Sequence, residues 1–465
     1  MLVFELKNYV NQFFIEVKGC NVKIFSKEIL NLAGKHVTKY KVFGIVFFKK
    51  EKFTYKSRWC FLGLKFSHKI KHETASANDL SQEAYIKHLH KMYCSKDEFC
   101  PIDETGLDFE SNINLIAFYL PQFHTFAEND AWHGRGFTEW ANVTKTLPHF
   151  VGHRQPHLPI DVGFYDLSTT KVMKRQVELA KLYGIYGFCF HYYWFSGKRL
   201  MEKPIFNWLE DKTLDFPFCL CWANENWSKL WDGGNKEILL KQELKPDDDA
   251  HFARDILPFF QDKRYIKIKG RPLFVVYRPS LFEKDRFLRF ADTLKTICLQ
   301  NGVAEPYVLV SNCAGFNENP KEWGAEAIVE FPPHSIWPET ISKKFVFESK
   351  ITVFDFAKWA ERKEYIYPSD YKMFKCVFPS WDNTARKAYT GAACFEGCTP
   401  QVYQTWLEDC IEWTRKNNGK EEQFVFINAF NEWAEGAHLE PDSYYGYAYL
   451  DATKQALIHC SKKMR

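Results

Sequence analysis

Two glutamates near the C-terminal end of the chain stand where an apolar run stops. Residues 424–442 read FVFINAFNEWAEGAHLEPD, so a stretch typical of a buried strand leads directly into Glu432, Trp433 and Glu435. Acids at the end of a buried strand are unfavourable unless they take part in binding or chemistry. Paired carboxylates make or cleave glycosidic bonds, since one protonates an oxygen while the other stabilises or traps the sugar cation.

The spacing of Glu432 and Glu435 predicts a separate chemical role for each of the two acids. Glu432 and Glu435 are three residues apart on one segment, so we expect both on the same side of a bound sugar ring. Direct attack on the anomeric carbon needs carboxylates on opposite faces. The spacing favours another route, in which one glutamate deprotonates a sugar hydroxyl that attacks from within and the other protonates the departing oxygen. The alternative, a solvated helix turn, is disfavoured by Trp433 and the preceding strand.

Eight short apolar runs, which would position these acids, alternate with longer helix-compatible stretches from residue 113 onward. Continuously apolar runs are typical of parallel strands that are buried on both faces, with helices between them. We therefore predict an α/β fold, a (β/α)8 TIM-type barrel. The alternative, a doubly wound open sheet, is weakened because no G-x-G-x-x-G follows the first run. The runs are INLIAFYL (113–120), YGFCFHYY (186–193), FPFCLCWA (216–223), PLFVVYRP (272–279), PYVLVSN (306–312), AEAIVEFPP (325–333), FKCVFPSW (374–381) and FVFINAF (424–430).

Polar and aromatic side chains follow every predicted strand, at the end where a barrel carries its binding and catalytic groups. Aromatic rings cover the apolar face of a sugar, while amides and carboxylates pair with its hydroxyls. For any single ring, packing in the core is the alternative. With Glu432 and Glu435 as catalytic residues, the predicted substrate-binding residues are Tyr119, His191, Tyr193, Trp194, Trp222, Asn224, Glu225, Trp227, Tyr277, Trp381, Asp382, Asn383, Arg386, Asn431, Trp433 and His438.

Charge is distributed unevenly along the 465 residues. Residues 1–75 contain 15 Lys and Arg against 5 Asp and Glu, whereas the remainder has a net charge of −6. The main body therefore has no basic footprint for nucleic acid, and the expected partner is a glycan or a sugar donor. For the basic segment two interpretations stay open: a solvated arm, or peripheral contact with an anionic membrane surface.

The same basic segment carries a short internal repeat. VFGIVFFKK at 42–50 is echoed by FLGLKFSHK at 61–69, as expected of short strands joined by basic turns. Two copies are too few for a solenoid. We predict a small basic β-rich appendage at 1–75, a helix and polar linker at 76–112, and the barrel at 113–465.

The sequence shows no sign of export, membrane insertion or a bound cofactor. It has no signal-peptide pattern at its start, no apolar run near the roughly 20 residues of a membrane span, and no C-x-x-C pair. We expect a reduced, cytoplasmic protein, with contact at the inner membrane face left open. The histidines are scattered, so we predict no metal site and no cofactor. The acidic run 247–249 is interpreted as a loop or helix start rather than a diphosphate site.

Several stretches together resemble the WbsX-type glycosyltransferases, whose domain is similar to glycoside hydrolase family 99. They cover about three quarters of the chain, in the expected order, and only their combination is specific. The resemblance implies a (β/α)8 barrel that acts on glycans in surface polysaccharide or lipopolysaccharide assembly. The stretches are AFYLPQFH, GFTEWANV, GHRQPHLP, GFCFHYYWFSGKRLMEKP, FPFCLCWANENW, WDG and FNEWAEGAHLEPD.

The resemblance also implies roles for the two glutamates. Family 99 enzymes are retaining endo-acting α-mannosidases with an E-W-x-E motif that proceed through a 1,2-anhydro sugar. Carried over by position, Glu432 is the base on the 2-hydroxyl and Glu435 the acid/base. The hydrolases usually have His where this chain has Ala434, so the resemblance does not extend to the identity of the sugar.

Three functions are consistent with these observations. The first is a WbsX-type glycosyltransferase that makes or remodels glycosidic bonds in surface polysaccharide biosynthesis. The second is a retaining endo-acting glycoside hydrolase or transglycosylase that uses the same two glutamates. The third is a non-catalytic glycan-binding barrel, against which the intact Glu pair argues.

Overall fold

Nine parallel strands form the wall of a barrel in the computed structural model, with the order β7-β6-β5-β4-β3-β2-β1-β9-β8. Each neighbouring pair is parallel, and β9 pairs with β1. β7 pairs with β6, and β8 pairs with β9. Only Lys375 separates β7 from β8, so these two short strands together occupy the seventh of the eight strand positions. The predicted (β/α)8 barrel is confirmed. The strands are β1 (Asn114–Tyr119), β2 (Ile185–Phe195), β3 (Phe218–Trp222), β4 (Arg271–Val276), β5 (Tyr307–Ser311), β6 (Ala327–Val329), β7 (Met373–Phe374), β8 (Cys376–Val377) and β9 (Phe424–Ile427).

The structure describes most of the chain. The described residues are 12–17, 20–32, 35–42, 45–53, 56–61, 64–69, 86–87, 89–90, 98–229, 237–245, 247–346 and 348–462. The WDG stretch at 231–233, noted above for its resemblance, lies outside them.

Helices alternate with the strands and cover the outside of the barrel. Strands β3 and β5 are buried along their whole length, as expected of continuously apolar parallel strands. Helix α6 shows the matching pattern, since it buries Phe287, Phe290 and Leu294 on one face. The helices are α1 (Ala127–His133), α2 (Trp140–Lys145), α3 (Lys171–Leu182), α4 (Lys203–Glu210), α5 (Asp248–Gln261), α6 (Lys284–Gln300), α7 (Phe356–Glu361), α8 (Thr384–Lys387), α9 (Pro400–Asn417) and α10 (Ala448–Lys462).

The local sequence accounts for the end of helix α3 and for the start of helix α5. Helix α3 stops just before Gly184, which has φ +79° and whose N–H donates to the carbonyl of Lys181 at 3.3 Å. A left-handed residue at this point ends a helix, and glycine adopts it without strain. The acidic run 247–249 begins helix α5, as predicted, and the carboxylate of Asp249 pairs with Arg286.

Shorter strands build the connections between the barrel elements. One of them pairs antiparallel with the end of β2, and two further sets form small sheets of their own. Two strands of two residues each follow β9 and form a hairpin. These strands are Lys198–Leu200, Trp227–Ser228 with Ile238–Leu240, Lys267–Ile268, Thr340–Ile341 with Ile351–Asp355 and Ala392–Glu396, and Asn431–Glu432 with Ala437–His438.

The chain divides into two compact units, Met1–Ala84 and Tyr85–Arg465. The first contains six antiparallel strands in sequential order, in line with a β-rich segment. Part of the predicted linker belongs to the second unit, because Cys100 N–H donates to the Tyr445 carbonyl at 3.0 Å. None of the helices described is long and apolar enough to cross a membrane. The six strands are Gln12–Val17, Cys20–Leu32, Lys35–Val42, Ile45–Phe53, Lys56–Phe61 and Leu64–Lys69.

A buried ion pair lies at the interruption between β7 and β8. The side chain of Lys375 is 0% exposed, and its Nζ donates to Glu330 Oε1 at 2.7 Å and to the Tyr365 carbonyl at 2.9 Å. Glu330 follows β6 directly and also accepts the Cys376 N–H at 3.2 Å. The pair therefore joins the sixth and seventh positions of the barrel where few ladder hydrogen bonds are present.

We predict that Lys375→Met lowers the free energy of unfolding by about 3–5 kcal/mol, because Glu330 would remain buried without its cation. Lys295→Met is the matched control, since Lys295 is half exposed and pairs with Glu305 on the surface. Its expected loss is far smaller, because exposed ion pairs contribute little to stability. Denaturant unfolding of both variants measures the difference, and equal losses would contradict a structural role for the buried pair.

Candidate active site

An open cavity of about 740 Å³ lies among the connections that follow the barrel strands. Both predicted catalytic glutamates line it. Six of the predicted substrate-binding residues do so as well: His191, Tyr193, Glu225, Trp227, Tyr277 and Arg386. The other lining residues are Leu120, Gln122, Glu139, Ala223, Asn226, Phe331, His334 and Asn428.

The two glutamates are carried by a tight hairpin that follows β9. Glu432 ends its first strand, and the single helical turn Trp433–Glu435 places Glu435 on the same loop. Gly436 then reverses the chain with φ +62°, and a Cβ on it would lie 3.1 Å from the backbone N of Asp382. That N–H donates to the Glu435 carbonyl at 2.7 Å. The close approach fixes the hairpin against the connection after β8.

One guanidinium contacts three carboxylates at the cavity wall. Arg386 Nη2 lies 2.9 Å from Glu432 Oε1, and Nη1 lies 2.9 Å from Glu435 Oε1. Its Nε donates to Glu139 Oε1 at 2.7 Å. Glu432 and Glu435 therefore lie beside neighbouring nitrogens of one planar group, on one side of the cavity. All four side chains are at least nine-tenths buried.

This cluster contains three carboxylates and one guanidinium, and burial together with the neighbouring charges shifts the pKa values of Glu432 and Arg386. Burial, and then the charges of Glu435 and Glu139, raise the pKa of Glu432 well above its usual range, although Arg386 acts in the opposite direction. Burial lowers the pKa of Arg386, but the three surrounding carboxylates outweigh it and the net shift is well upward. Gln122 Nε2 adds two contacts of 3.3 Å to the carboxylate of Glu432.

The rest of the wall is a mixture of rings and one further acid. Burial raises the pKa of Glu225 even though Arg278 pairs with it. Burial lowers the pKa of His191 to about 4, so this imidazole is neutral near pH 7. Tyr193 and Tyr277 present rings to the same space, with burial raising the pKa of each hydroxyl. The surface therefore combines apolar faces with hydrogen-bonding groups.

Trp433 anchors the hairpin from behind the two glutamates. Its ring stacks on His438 with centroids 3.8 Å apart, and its Nε1 donates to Glu440 Oε2 at 2.6 Å. Glu440 also accepts from Tyr165 at 2.8 Å and Gln176 at 2.6 Å, all neutral donors. Burial raises the pKa of Glu440 to about 7 against the effect of these hydrogen bonds.

Ten predicted binding residues support the cavity rather than line it. Trp222 faces outward and stacks on Phe252 of α5, because successive residues of a strand point to opposite sides. Asn224 exchanges two 2.8 Å hydrogen bonds with the backbone of Arg278. The full set is Tyr119, Trp194, Trp222, Asn224, Trp381, Asp382, Asn383, Asn431, Trp433 and His438, and all are buried.

The polar members of this set join backbone segments. Asn431 Oδ1 accepts the Leu120 N–H at 2.8 Å, which ties the hairpin to the connection after β1. Asn383 Oδ1 accepts the Ala393 N–H at 2.8 Å. Tyr119 donates to Gln176 at 2.7 Å. In this structure these groups determine where the lining residues lie.

Glu139 is the main cavity residue that the prediction missed. It precedes α2 in the long connection after β1, far from any strand end. Asn142 Nδ2 donates to its Oε1 at 3.1 Å, so the carboxylate has a second buried partner besides Arg386. The available signal was an acid between Phe137 and Trp140 in the GFTEW stretch, because a buried acid among aromatic residues needs a partner.

Two groups of side chains among the residues described could each hold a metal ion. They are His153 with Asp382 and Cys394, and His157 with His438 and Asp442. Neither group shares a residue with the cavity lining. Within the described part of the chain, both groups therefore lie outside the cavity lining.

We predict that Glu432→Gln stabilises the fold at pH 8. Glu432 binds its proton more tightly when folded than when unfolded, so its ionisation destabilises the folded state above the raised pKa. As pH falls through that pKa, the advantage of the variant should shrink, and it should vanish below the ordinary value of 4.5. Thermal unfolding of both proteins from pH 4 to 8 tests this, with the exposed Glu178→Gln as the neutral control. A loss of stability that is constant with pH would contradict it.

The part of the chain that forms the barrel is similar to a known protein family. A family described as "Glycosyltransferase WbsX" matches residues 115–453. Proteins from two strains of Xanthomonas campestris pv. campestris, each named "Uncharacterized protein WxcX", are 43% identical over 347 residues, which is 74% of this chain. The chain spans about half, 49%, of the length of these curated relatives.

Solved structures with a similar fold include a GH99 endo-alpha-mannosidase from Bacteroides thetaiotaomicron. It is 13% identical with a TM-score of 0.47, and the match covers 76% of this chain and 98% of that one. The sequence match to the WbsX family spans most of the barrel, including the hairpin with both glutamates. This chain belongs to the WbsX glycosyltransferase family.

Proposed function

We propose that this protein makes or remodels glycosidic bonds in cell-surface polysaccharide, with Glu432 and Glu435 as its acid–base pair. The observation that carries the proposal is the contact of both carboxylates with the single guanidinium of Arg386 in an open cavity. Paired carboxylates in a cavity with aromatic walls are the groups with which most glycoside hydrolases act on a glycosidic bond. Membership of the WbsX family supports the same substrate class.

The shared guanidinium favours the route through a neighbouring hydroxyl. Both carboxylates approach from one side, whereas direct attack needs them on opposite faces. Glu432, in its ionised form, would remove the proton of the hydroxyl beside the anomeric carbon, and a raised pKa makes this carboxylate the stronger base. As that oxygen bonds to the anomeric carbon, the bond to the departing oxygen breaks and Glu435 protonates it.

The second half of the reaction reverses these transfers. Glu435 takes the proton of the acceptor hydroxyl, and the acceptor oxygen bonds to the anomeric carbon. The strained ring then opens, and Glu432 returns its proton to the neighbouring oxygen. Two inversions give net retention, and the acceptor is water or a second sugar.

The charge of the cavity favours a glycan as the donor over a nucleotide sugar. Four lining residues are glutamates, Glu139, Glu225, Glu432 and Glu435, against one arginine, Arg386. An acidic wall stabilises the positive charge that develops on the sugar ring and repels a diphosphate. This observation supports the second candidate, a retaining endo-acting hydrolase or transglycosylase that uses the same two glutamates.

A direct assay separates these candidates. Purified protein would be incubated with nucleotide sugars and, separately, with α-linked manno-oligosaccharides and bacterial surface glycans, and the products would be measured by mass. Nucleotide release that depends on Glu432 would identify a nucleotide-sugar transferase and contradict the charge argument. Shortening or exchange of glycan chains without nucleotide would support the glycosidic donor. Binding that Glu432→Gln and Glu435→Gln leave unchanged, without turnover, would favour a non-catalytic barrel.

We predict that Glu435→Gln lowers turnover by about 10²- to 10⁴-fold on substrates with a poor leaving group, the usual range for general acid catalysis. The loss should be largely recovered with an activated leaving group, because such a group departs without a proton. The measurement compares kcat/KM for the two substrate classes in the variant and wild type. The exposed Glu178→Gln serves as control, and absence of recovery would contradict the acid role of Glu435.

A further inference from the structure

Two histidines that are 281 residues apart meet at the second strand of the hairpin that carries the glutamates. His157 Nδ1 lies 2.8 Å from His438 Nε2, and His438 Nε2 lies 3.9 Å from Asp442 Oδ2. The potential ligand atoms of all three residues lie within 4.8 Å of one another. The reaction proposed above uses none of these side chains.

Contacts with the backbone orient two of the three groups toward a common point. His438 Nδ1 lies 2.9 Å from the Glu440 carbonyl, which only accepts, so Nδ1 carries the proton and Nε2 presents its lone pair. Asp442 Oδ1 accepts the N–H groups of Tyr444 at 2.8 Å and Tyr445 at 2.6 Å. Outer contacts that fix a tautomer and a carboxylate in this way are usual around metal ligands.

The surroundings can accommodate a cation. The side chains of His438 and Asp442 are 1% and 8% exposed, and a cavity of about 420 Å³ reaches His157 and Asp442. Asp442 and Asp382 supply negative charge near His157, and Arg154 and His153 oppose it. Arg154 already donates to the Cys398 carbonyl at 3.1 Å and lies over the Tyr445 ring.

We propose that His157 Nδ1, His438 Nε2 and Asp442 Oδ2 bind one divalent transition-metal ion of the zinc class. Two imidazoles and one carboxylate suit Zn²⁺ and its neighbours, whereas Mg²⁺ and Ca²⁺ prefer oxygen ligands. The adjoining cavity leaves room for water at the remaining position. Without the ion, the Nδ1–H of His157 donates to His438; with it, that proton resides on Nε2 of His157.

The second histidine group is a weaker candidate. His153 Nδ1 accepts the His149 N–H at 2.9 Å, and its Nε2 donates to Asp382 Oδ2 at 2.6 Å. Both nitrogens of His153 are therefore engaged within the protein. Cys394 completes that group, and its thiol would give a bound ion a distinct spectrum.

A metal at His157 and His438 would link the hairpin to residues 153–160. The two segments already share backbone hydrogen bonds, from Ile160 N–H to the Pro441 carbonyl at 3.0 Å and from Ser443 N–H to the Leu158 carbonyl at 2.9 Å. The ion would add a side-chain link beside the stacked pair of His438 and Trp433. We therefore expect it to stabilise the hairpin.

The test uses the full chain without a polyhistidine tag, stripped with a chelator and then titrated with ZnCl₂ by calorimetry. We expect one Zn²⁺ per chain, retained on desalting and measured by mass spectrometry, together with a higher Tm. His438→Gln and Asp442→Asn should each weaken binding by at least about 100-fold, beyond the loss that outer contacts cause. The exposed His459→Gln should bind as wild type does.

Binding of Co²⁺ to the wild-type protein gives a readout that does not depend on how the variants fold. We expect d–d absorption without a thiolate charge-transfer band, since the proposed ligands contain no sulfur. A thiolate band that disappears in Cys394→Ser would assign the ion to the other group and overturn the proposal. Absence of stoichiometric Zn²⁺ binding by the wild type would overturn it as well, as would unchanged binding in both ligand variants.

Discussion

A single guanidinium unites the segments from which the cavity is built. Arg386, in α8, is in contact with Glu139 from the connection after β1 and with Glu432 and Glu435 from the hairpin after β9. Buried charges are unfavourable without partners, and Arg386 is the cation that all three carboxylates share. These three segments, distant in sequence, must therefore be in place together before any of the four side chains is stable in its position.

The same arrangement is electrostatically unfavourable for the three carboxylates. Burial, and then the charges of Glu435 and Glu139, raise the pKa of Glu432 well above its usual range, because one guanidinium does not offset them. Sites that do chemistry commonly retain such unfavourable groups at the expense of stability. Contacts outside the charged cluster hold the hairpin: the Trp433 ring stacks on His438, and its Nε1 donates to Glu440.

Much of this architecture could be predicted from local sequence, and the exceptions have physical causes. Continuous apolar runs identified the barrel, and the acids after the last run proved to line the cavity. Trp222 was expected there but faces a helix, because strand ends alternate sides and the exact register is not readable from one sequence. Glu139 was missed because a long connection brings it back to the barrel. The meeting of His157 with His438 likewise depends on tertiary structure alone.

The strands of the barrel wall differ widely in length. β2 has eleven residues, whereas β6 has three and β7 and β8 have two each. Residues 330–372 form the long connection between β6 and β7, and part of it, at Phe331 and His334, borders the cavity. Connections tolerate insertion and replacement far better than the elements they join. Relatives could therefore exchange this one segment of the cavity border while β9 continues to hold the hairpin with Glu432 and Glu435 in place.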